Sequence, residues 1–291
     1  MTTRHQPVLV KEVIDLLSPR EGGTYIDATV GLGGHSEEIL KMIGSDGRLI
    51  GIDRDDAALR AAEERLKDPR VQLKKGRFSE MENILASAGA AKADGILLDL
   101  GVSMMQLRES GRGFSFLSDE RLDMRMDRTQ RLSAWDIVNG YSEKDLIRVL
   151  KDYGEEHRAP RIARAIGMQR RKGEIATCSE LAGLVSRSVG RRGRIHPATK
   201  TFQALRIEVN GEIEELRKGL NASLKILKSG GRLCVISYHS LEDREVKNFI
   251  RENARTGTLK PLTKKPVTPG IREIRENPSS RSAKMRGAER T

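Results

Sequence analysis

The sequence predicts an α/β fold in which a doubly wound parallel sheet is interrupted by an all-helical insertion. Up to about residue 100, short apolar runs alternate with segments of helical periodicity, as in successive βαβ units. From about 104 to 205 the strand-like runs disappear, and three helical segments take their place. The apolar run 232–238 then returns the chain to the sheet.

These changes of pattern predict two domains, one of them discontinuous. Residues 1–103 form the first part of the sheet domain, 104–205 form the helical insertion, and 206–291 complete the sheet domain. A long helix is predicted from about Pro197 to Lys228, followed after the last strand by a closing hairpin within 258–274. The last fifteen residues are rich in Ser and Arg, which predicts poor order unless RNA or the domain holds them.

The individual strands follow from apolar runs bounded by turn residues, at 24–29, 48–53, 71–75 and 95–100. Carboxylates lie near the ends of three of them, at Asp27, Asp53 and Asp99. Because the carboxyl ends of parallel strands meet at one edge, these acids are expected to converge at one rim. Buried strand ends avoid unpaired acids unless a ligand binds there. The rim is therefore a predicted ligand site.

The stretch 25–36, YIDATVGLGGHS, predicts a cofactor-binding turn between the first strand and a helix for which Ser36 is the expected N-cap. Glycines at 31, 33 and 34 allow backbone to approach a ligand closely. Asp53 follows roughly twenty residues later, where an acid can hold ribose hydroxyls. The alternative is that the glycines only shape a tight turn.

Two cofactor classes suit this geometry. A dinucleotide usually requires a third glycine, and this chain has Ser36 there, followed by the acids Glu37 and Glu38. Two acids in the first helical turn repel a pyrophosphate but are compatible with a cationic sulfonium. The sequence therefore favours S-adenosylmethionine over NAD.

The net charge of +12 and the isoelectric point near 9.8 favour a polyanionic partner, most simply a nucleic acid. Basic residues cluster at 169–173, at 190–194 and from Arg281 to Arg290. A generally basic surface without a nucleic-acid partner is the alternative.

Membrane and secreted classes are not supported by the sequence. No apolar run approaches the ~18 residues that span a bilayer, and the first residues contain no long apolar segment of a secretion signal. Cys178 and Cys234 match no metal-binding or disulfide spacing, so no metal site is predicted, although the sequence is silent on a metal requirement. We expect a cytoplasmic protein.

At family level, the sequence resembles the bacterial ribosomal RNA small-subunit methyltransferase H family, also called MraW. The resemblance runs from about His5 to Arg286, through the motifs HQPVL, DATVGLGGHS, GIDRD, LLDLGVS, RGFSF, LDMRMD, YGEE, HPATKTFQALRI and ISYHSLEDR. It implies a Rossmann-like class I methyltransferase domain with a helical insertion for RNA recognition. It also implies S-adenosylmethionine-dependent N4-methylation of a 16S rRNA cytidine at the decoding site of the small ribosomal subunit, and that two copies of the chain can form a homodimer.

The resemblance implies the following cofactor contacts: Gly33, Gly34, His35, Asp53, Phe78, Asp99 and Gln106. Structural roles are the alternatives for several of them, with Phe78 as ordinary core, Asp99 as a turn cap and His35 as a support of the turn. The sequence departs from the family pattern near these positions, at Met104, Arg108, Arg121 and Tyr238, where the family commonly has serine, an acid, proline and phenylalanine. These departures affect the expected loop shape more than the expected activity.

Methylation of cytosine N4 requires an acceptor near the amine, because the amine lone pair is conjugated with the ring. The (N/D/S)PP(Y/F) element of DNA amino-methyltransferases is absent, since the chain reads DLGV at 99–102. Asp99, Asn139 and His239 are the candidate catalytic residues, with Ser237 as a further rim candidate, and no base is assigned.

The predicted RNA-backbone contacts are Arg170, Arg171, Lys172, Arg191, Arg192 and Arg194. A solvated helix end is the alternative reading of these residues. Two other functions remain open, namely a non-catalytic RNA-binding assembly factor on a methyltransferase scaffold and an NAD-dependent oxidoreductase.

Overall fold

A computed structural model describes residues 7–101, 111–190 and 195–291. The described residues separate into two compact units. The sheet unit contains residues 7–101 and 213–291, and the helical unit contains 111–190 and 195–212. The sequence predicts the second change of unit after residue 205, whereas the compact helical unit continues to 212.

The sheet unit contains a seven-stranded mixed sheet with the order β3-β2-β1-β4-β5-β7-β6. The strands are β1 Thr24–Asp27, β2 Arg48–Asp53, β3 Val71–Lys75, β4 Ala93–Asp99, β5 Leu227–Ser237, β6 Leu259–Pro261 and β7 Lys284–Arg290. β1 to β5 are parallel, and β7 pairs antiparallel with both β5 and β6. The predicted α/β fold with a doubly wound sheet is confirmed.

Helices cover both faces of this sheet. They are α1 Val10–Leu17, α2 Gly34–Leu40, α3 Asp56–Arg65, α4 Met81–Ser87, α10 Glu212–Ile226, α11 Ser240–Arg255 and α12 Ile271–Glu276. Successive residues of a strand point to opposite faces, so Tyr25 and Leu97 join one apolar core while Ile26 and Leu98 join the other. No helix among the described residues is long and apolar enough to cross a membrane.

The helical unit has an apolar core of its own. Its helices are α5 Ala134–Gly140, α6 Glu143–Asp152, α7 Ala159–Arg170, α8 Cys178–Val189 and α9 Thr199–Asn210. Ser142 and Thr177 cap α6 and α8 by accepting hydrogen bonds from backbone N–H groups three residues later, as their sequence spacing predicts. The alternating side chains of Leu122, Met124 and Met126 are buried in this core.

The predicted single helix over 197–228 is wrong, because the chain forms α9 and α10 instead. Gly211 lies between them with a left-handed φ of +60°. A residue in this conformation ends a helix, and glycine adopts it without steric cost. The apolar periodicity continues on both sides of the break and gives no sign of it.

The expected C-terminal hairpin is wrong, because α12 replaces part of it. Poor order of the tail is predicted unless RNA or the domain holds it, and the domain holds residues 284–290 as β7 in the interior of the sheet. The basic composition of β7 is misleading because its charges have partners. Arg286 forms an ion pair with Asp243 at 2.6 Å, and Glu289 pairs with Arg232 at 3.2 Å. Met285 and Ala288 face the apolar cores.

Replacement of Ala288 by Asp is therefore expected to destabilise the sheet unit. The side chain is fully buried in β7, so the new carboxylate has no access to water. We expect a loss of about 3 kcal/mol or more in the free energy of unfolding, measured by urea denaturation. Ser282→Asp, which introduces a carboxylate at an exposed position, is the control. Equal stability of the two variants would contradict the assignment of β7 to the interior of the sheet.

Candidate active site

Three carboxylates close adjacent parallel strands at one rim of the sheet. Asp53, Asp27 and Asp99 are the last residues of β2, β1 and β4, which lie side by side. Asp27 is 2% exposed, and Asp53 and Asp99 are half-buried. The convergence expected from the sequence is therefore present. The pKa of each of these acids is raised, and burial is the largest cause in all three. The pKa of Asp53 and that of Asp99 are about 6.

The glycine turn lies directly after β1. Gly31 and Gly33 have φ values of +51° and +75°, so both use the left-handed region that favours glycine. Gly33 is the N-cap of α2, and the prediction of Ser36 as the N-cap is wrong. A Cβ on Gly33 would lie 2.9 Å from the Leu66 side chain, whereas one on Gly34 would lie 2.9 Å from Pro7. Both glycines therefore serve close packing on one side of the turn.

Gly31 differs from these two glycines in its surroundings. Among the residues that the structure describes, a Cβ built on it meets only the Thr29 carbonyl oxygen, at 3.8 Å, which leaves space for a ligand on that side. Its N–H donates a 3.0 Å hydrogen bond to Asp53 Oδ2, and the Asp55 N–H donates to Asp53 Oδ1 at 2.9 Å. Asp53 is thus fixed against the glycine turn. Each of its oxygens keeps a second lone pair that can accept from a hydroxyl.

Ser36 has a different role from the predicted one. Its hydroxyl donates a 2.7 Å hydrogen bond to Asp27 Oδ2, and both residues are buried. Asp27 Oδ1 also accepts a long 3.4 Å bond from the Thr29 N–H. These bonds compensate part of the cost of removing the Asp27 carboxylate from water. The serine that replaces the third glycine of a dinucleotide motif therefore stabilises the turn internally.

Asp99 and His35 lie next to each other beside the turn. The His35 ring is 6% exposed; its Nε2 lies 2.8 Å from the Val8 carbonyl oxygen, and its Nδ1 lies 3.7 Å from Asp99 Oδ2. Tyr238 donates its hydroxyl to Asp99 Oδ1 at 2.9 Å. Among the predicted cofactor residues, the structure brings together the glycine turn, His35, Asp53 and Asp99. Gln106 lies outside the described residues.

Phe78 lies after β3, at the start of a short 3₁₀ turn. Its ring packs against Gly219 of α10, where a Cβ would come within 2.4 Å of the ring. The N–H of Ser79 donates to buried Glu215 at 2.9 Å, which fixes the backbone next to the ring. Phe78 remains half-buried, so it is both a core contact and a surface available to a planar ligand.

The two acids of α2 are both neutralised by ion pairs. Glu37 pairs with Arg65 through two hydrogen bonds, of 2.9 and 2.5 Å, and Glu38 pairs with Lys41 at 2.6 Å. Their expected repulsion of a pyrophosphate is therefore weakened. The preference for a sulfonium cofactor depends instead on the buried carboxylates of the rim.

The other candidate catalytic residues have structural partners. In the helical unit, the side chain of Asn139 donates to the carbonyls of Trp135 and Ile175 and accepts from the Ile175 N–H. His239 is the N-cap of α11, and the hydroxyl of buried Ser237 donates to the Lys284 carbonyl at 3.2 Å. These contacts favour Asp99 as the candidate that acts on substrate.

Of the predicted RNA contacts, Arg191, Arg192 and Arg194 lie outside the described residues. Arg170 donates to the carbonyls of Val138 and Tyr141 at the end of α5, so its guanidinium supports the helical unit. Arg171 and Lys172 are exposed at the end of α7 and remain available to a phosphate backbone.

A depression of about 220 Å³ in the helical unit was not predicted from the sequence. Its lining includes Arg121, Arg125, Arg131 and Trp135, together with two acids. Arg125 is paired with Asp123 at 2.8 Å, whereas the Arg121 guanidinium lies 5.8 Å from the centre of the Trp135 ring. An arginine beside an aromatic ring is a common surface for stacking an unpaired base.

The main contact that sequence reasoning missed is the Tyr238–Asp99 hydrogen bond. Tyr238 is noted from the sequence only as a departure from the family pattern. A tyrosine directly after the strand that neighbours β4 was the available signal, because adjacent parallel strands end at the same rim.

Together, the strand order, with its antiparallel β7, and the carboxylate rim beside a glycine turn define a class I methyltransferase domain. A crystal structure of a protein from Clostridium thermocellum has the same fold, with a TM-score of 0.50 at 15% identity and coverage of 99% of this chain and 100% of that one. Residues 2–291 match the model of the MraW methylase family.

Two relatives are much closer in sequence, and both are named Ribosomal RNA small subunit methyltransferase H. The one from Persephonella marina is 52% identical, and the alignment covers 98% of this chain and 99% of the relative. The one from Sulfurihydrogenibium sp. is 49% identical, with 97% coverage of each chain. The chain therefore belongs to the MraW methylase family, together with these rRNA methyltransferases.

This assignment confirms the predicted enzyme class, a methyltransferase that uses S-adenosylmethionine. The open side of Gly31 and the carboxylates of the rim suit that cofactor, which carries ribose hydroxyls and a positive charge. The NAD-dependent oxidoreductase alternative is not retained.

Replacement of Asp99 by Asn is expected to stabilise the chain at neutral pH. The Asn oxygen can accept from Tyr238, and its amide can donate toward His35 Nδ1. The pKa of Asp99 is raised from 3.8 to about 6 in the folded chain, which favours the protonated carboxyl. The contribution of this carboxyl to the free energy of unfolding is therefore complete below pH 4 and is lost as the pH rises through 6. The stability advantage of the variant should therefore grow between pH 4 and 6, as measured by denaturant unfolding. Asp15→Asn, at an exposed carboxylate, is the control, and a pH-independent advantage would contradict the burial of Asp99.

Proposed function

We propose that the protein transfers a methyl group from S-adenosylmethionine to N4 of a cytidine in 16S rRNA, at the decoding site of the small ribosomal subunit. The observation that carries this proposal is the half-buried carboxylate Asp99, which lies beside the glycine turn within a methylase family whose named members act on small-subunit rRNA. A ribosomal substrate would also place the protein in the cytoplasm.

The cofactor would be held at the rim by residues from four segments. Gly33 and Gly34 shape the turn, Asp53 accepts the ribose hydroxyls, and Phe78 offers a ring face to the adenine. His35 and Asp99 close the site from the side of β4. Gln106 is carried over from the family resemblance as a further contact. S-adenosylmethionine supplies an electrophilic methyl group on a positively charged sulfur.

For the transfer, the chain must hold the cytosine amine in line and stabilise it as its lone pair is withdrawn from the ring. The N–C bond forms as the C–S bond breaks, after which the amine gives up one proton. Asp99 is the proposed acceptor for that N–H, because it combines a free lone pair with 23% exposure of its side chain. Asn139 is less suitable, since its amide is committed to backbone contacts. His239 is less suitable, since its Nδ1 caps α11 and its buried Nε2 lies 3.2 Å from Glu242 Oε1.

The target base must leave its stack to reach a site at the end of a sheet. We propose that the helical unit holds the flanking RNA, with Arg171 and Lys172 on the backbone and the Arg121–Trp135 depression available to an unpaired base. Arg191, Arg192 and Arg194 remain predicted backbone contacts. Pairing of two copies of the chain also remains a prediction from the resemblance.

Incubation of small ribosomal subunits with the protein and labelled S-adenosylmethionine tests the reaction directly. Nucleoside analysis of the 16S rRNA should yield N4-methylcytidine with the wild type, and Asp53→Ala should reduce labelling at least 100-fold, since removal of a key transition-state or cofactor contact costs ~3 kcal/mol or more. Label in another nucleoside would overturn the N4 assignment. RNA binding without labelling would favour the assembly-factor alternative.

The backbone contacts are tested by the salt dependence of RNA affinity. Loss of two phosphate contacts in an Arg171→Gln/Lys172→Gln double variant should reduce the slope of log K against log salt by about 1.4 for single-stranded RNA. The control is Lys11→Gln/Lys218→Gln, which removes the same charge from two exposed lysines of the sheet unit. Equal slope changes in both variants would mean that the contribution is only a general effect of net charge.

A further inference from the structure

Tyr238 is fixed on two sides at the end of β5. Its backbone N–H donates a 2.8 Å hydrogen bond to Glu242, which is 3% exposed at the start of α11. Its ring packs against Gly101, where an added Cβ would lie 3.2 Å from the ring. Gly101 itself has a φ of +97°, a conformation that favours glycine. The tyrosine hydroxyl is therefore held at Asp99 Oδ1 by the packing of the backbone around it.

His35 approaches the other oxygen of Asp99 in a defined tautomer. The Val8 carbonyl can only accept, so the imidazole donates its Nε2–H there. Nδ1 of a neutral ring then presents a lone pair toward Asp99 Oδ2 at 3.7 Å. The carboxylate thus accepts a hydrogen bond from a fixed O–H donor on one oxygen, and its other oxygen faces the His35 ring beyond hydrogen-bond distance.

We propose that Tyr238 is a positioning residue that orients Asp99 and keeps it ionised as the acceptor for the cytosine amine. The proposal rests on the proposed function. It assigns a role to a residue at which this chain departs from the family pattern, and it requires no contact between Tyr238 and the substrate.

The electrostatic surroundings agree with this role. The pKa of Asp99 is raised to about 6, with burial as the largest cause and smaller contributions from the negative charges of Asp27 and Glu242. His35 and, to a smaller extent, the Tyr238 hydrogen bond lower the pKa of the same carboxyl. Cys234 of β5 lies close enough to interact with the charge of Asp99. Burial raises the pKa of the Cys234 thiol, so the thiol stays neutral. Of the residues named, Tyr238 is the one that supplies a neutral O–H donor.

Tyr238→Phe removes this donor and leaves the ring in place. Since phenylalanine fills the same space as the tyrosine ring, the variant is expected to fold. The acid limb of the single-turnover rate of RNA methylation should move up by roughly one pH unit, which lowers the rate about tenfold at pH 5 and little at pH 8.5. The control is Tyr25→Phe, another buried tyrosine, whose hydroxyl accepts from the Arg20 N–H. An equal loss of the methylation rate at every pH, or an acid limb at the same pH as in the wild type, would overturn the proposal.

A second measurement does not depend on activity. Because the variant raises the pKa of Asp99 further, its stability relative to the wild type should fall as the pH rises through 6 to 7. In an Asp99→Asn background, the pH-dependent part of this difference should vanish. If wild type labels no RNA but this pattern appears, the proposed function fails while the Tyr238–Asp99 coupling stands. If the pattern is absent, the coupling itself is refuted.

Discussion

The burial of three carboxylates at the ends of adjacent strands is the constraint on which the candidate site depends. Water is removed from acids that have no basic side chain hydrogen-bonded to them among the described residues, and the cost appears as raised pKa values. A fold tolerates such a cluster when neutral donors compensate part of the cost. Ser36, the Gly31 N–H and Tyr238 supply those donors here.

The local backbone can be understood as the means of placing these donors. The left-handed φ of Gly31 accompanies an N–H directed at Asp53, and that of Gly101 brings the chain against the Tyr238 ring. Gly31 also leaves one side of the turn open among the described residues. The remaining uncompensated negative charge of the rim lowers the stability of the sheet unit. The same charge is available to a cationic or hydroxyl-bearing ligand.

Much of this arrangement could be predicted from local sequence patterns. Apolar runs that end in an acid located the rim, and the glycine spacing located the turn, because both depend on residues close in the chain. The break at Gly211, the strand β7 and the Tyr238–Asp99 bond were not found in that way. The apolar periodicity continues on both sides of Gly211 and hides the break. The strand β7 and the Tyr238–Asp99 bond depend on partners far along the chain, as when Asp243 compensates Arg286 and makes a basic segment suitable for the interior of a sheet.

The discontinuity of the sheet unit has a consequence for how the protein is made. β4 needs β5 as its neighbour, yet the two strands are separated by the whole helical unit. During synthesis the helical unit, with its own apolar core, can become compact while the half-sheet of β1 to β4 still exposes an unpaired edge. Completion of the sheet then awaits a long-range closure, which is intrinsically slow. The nascent chain therefore exposes an unpaired strand edge, which is prone to aggregation, until β5 has been synthesised. Protection by chaperones is most valuable in that interval.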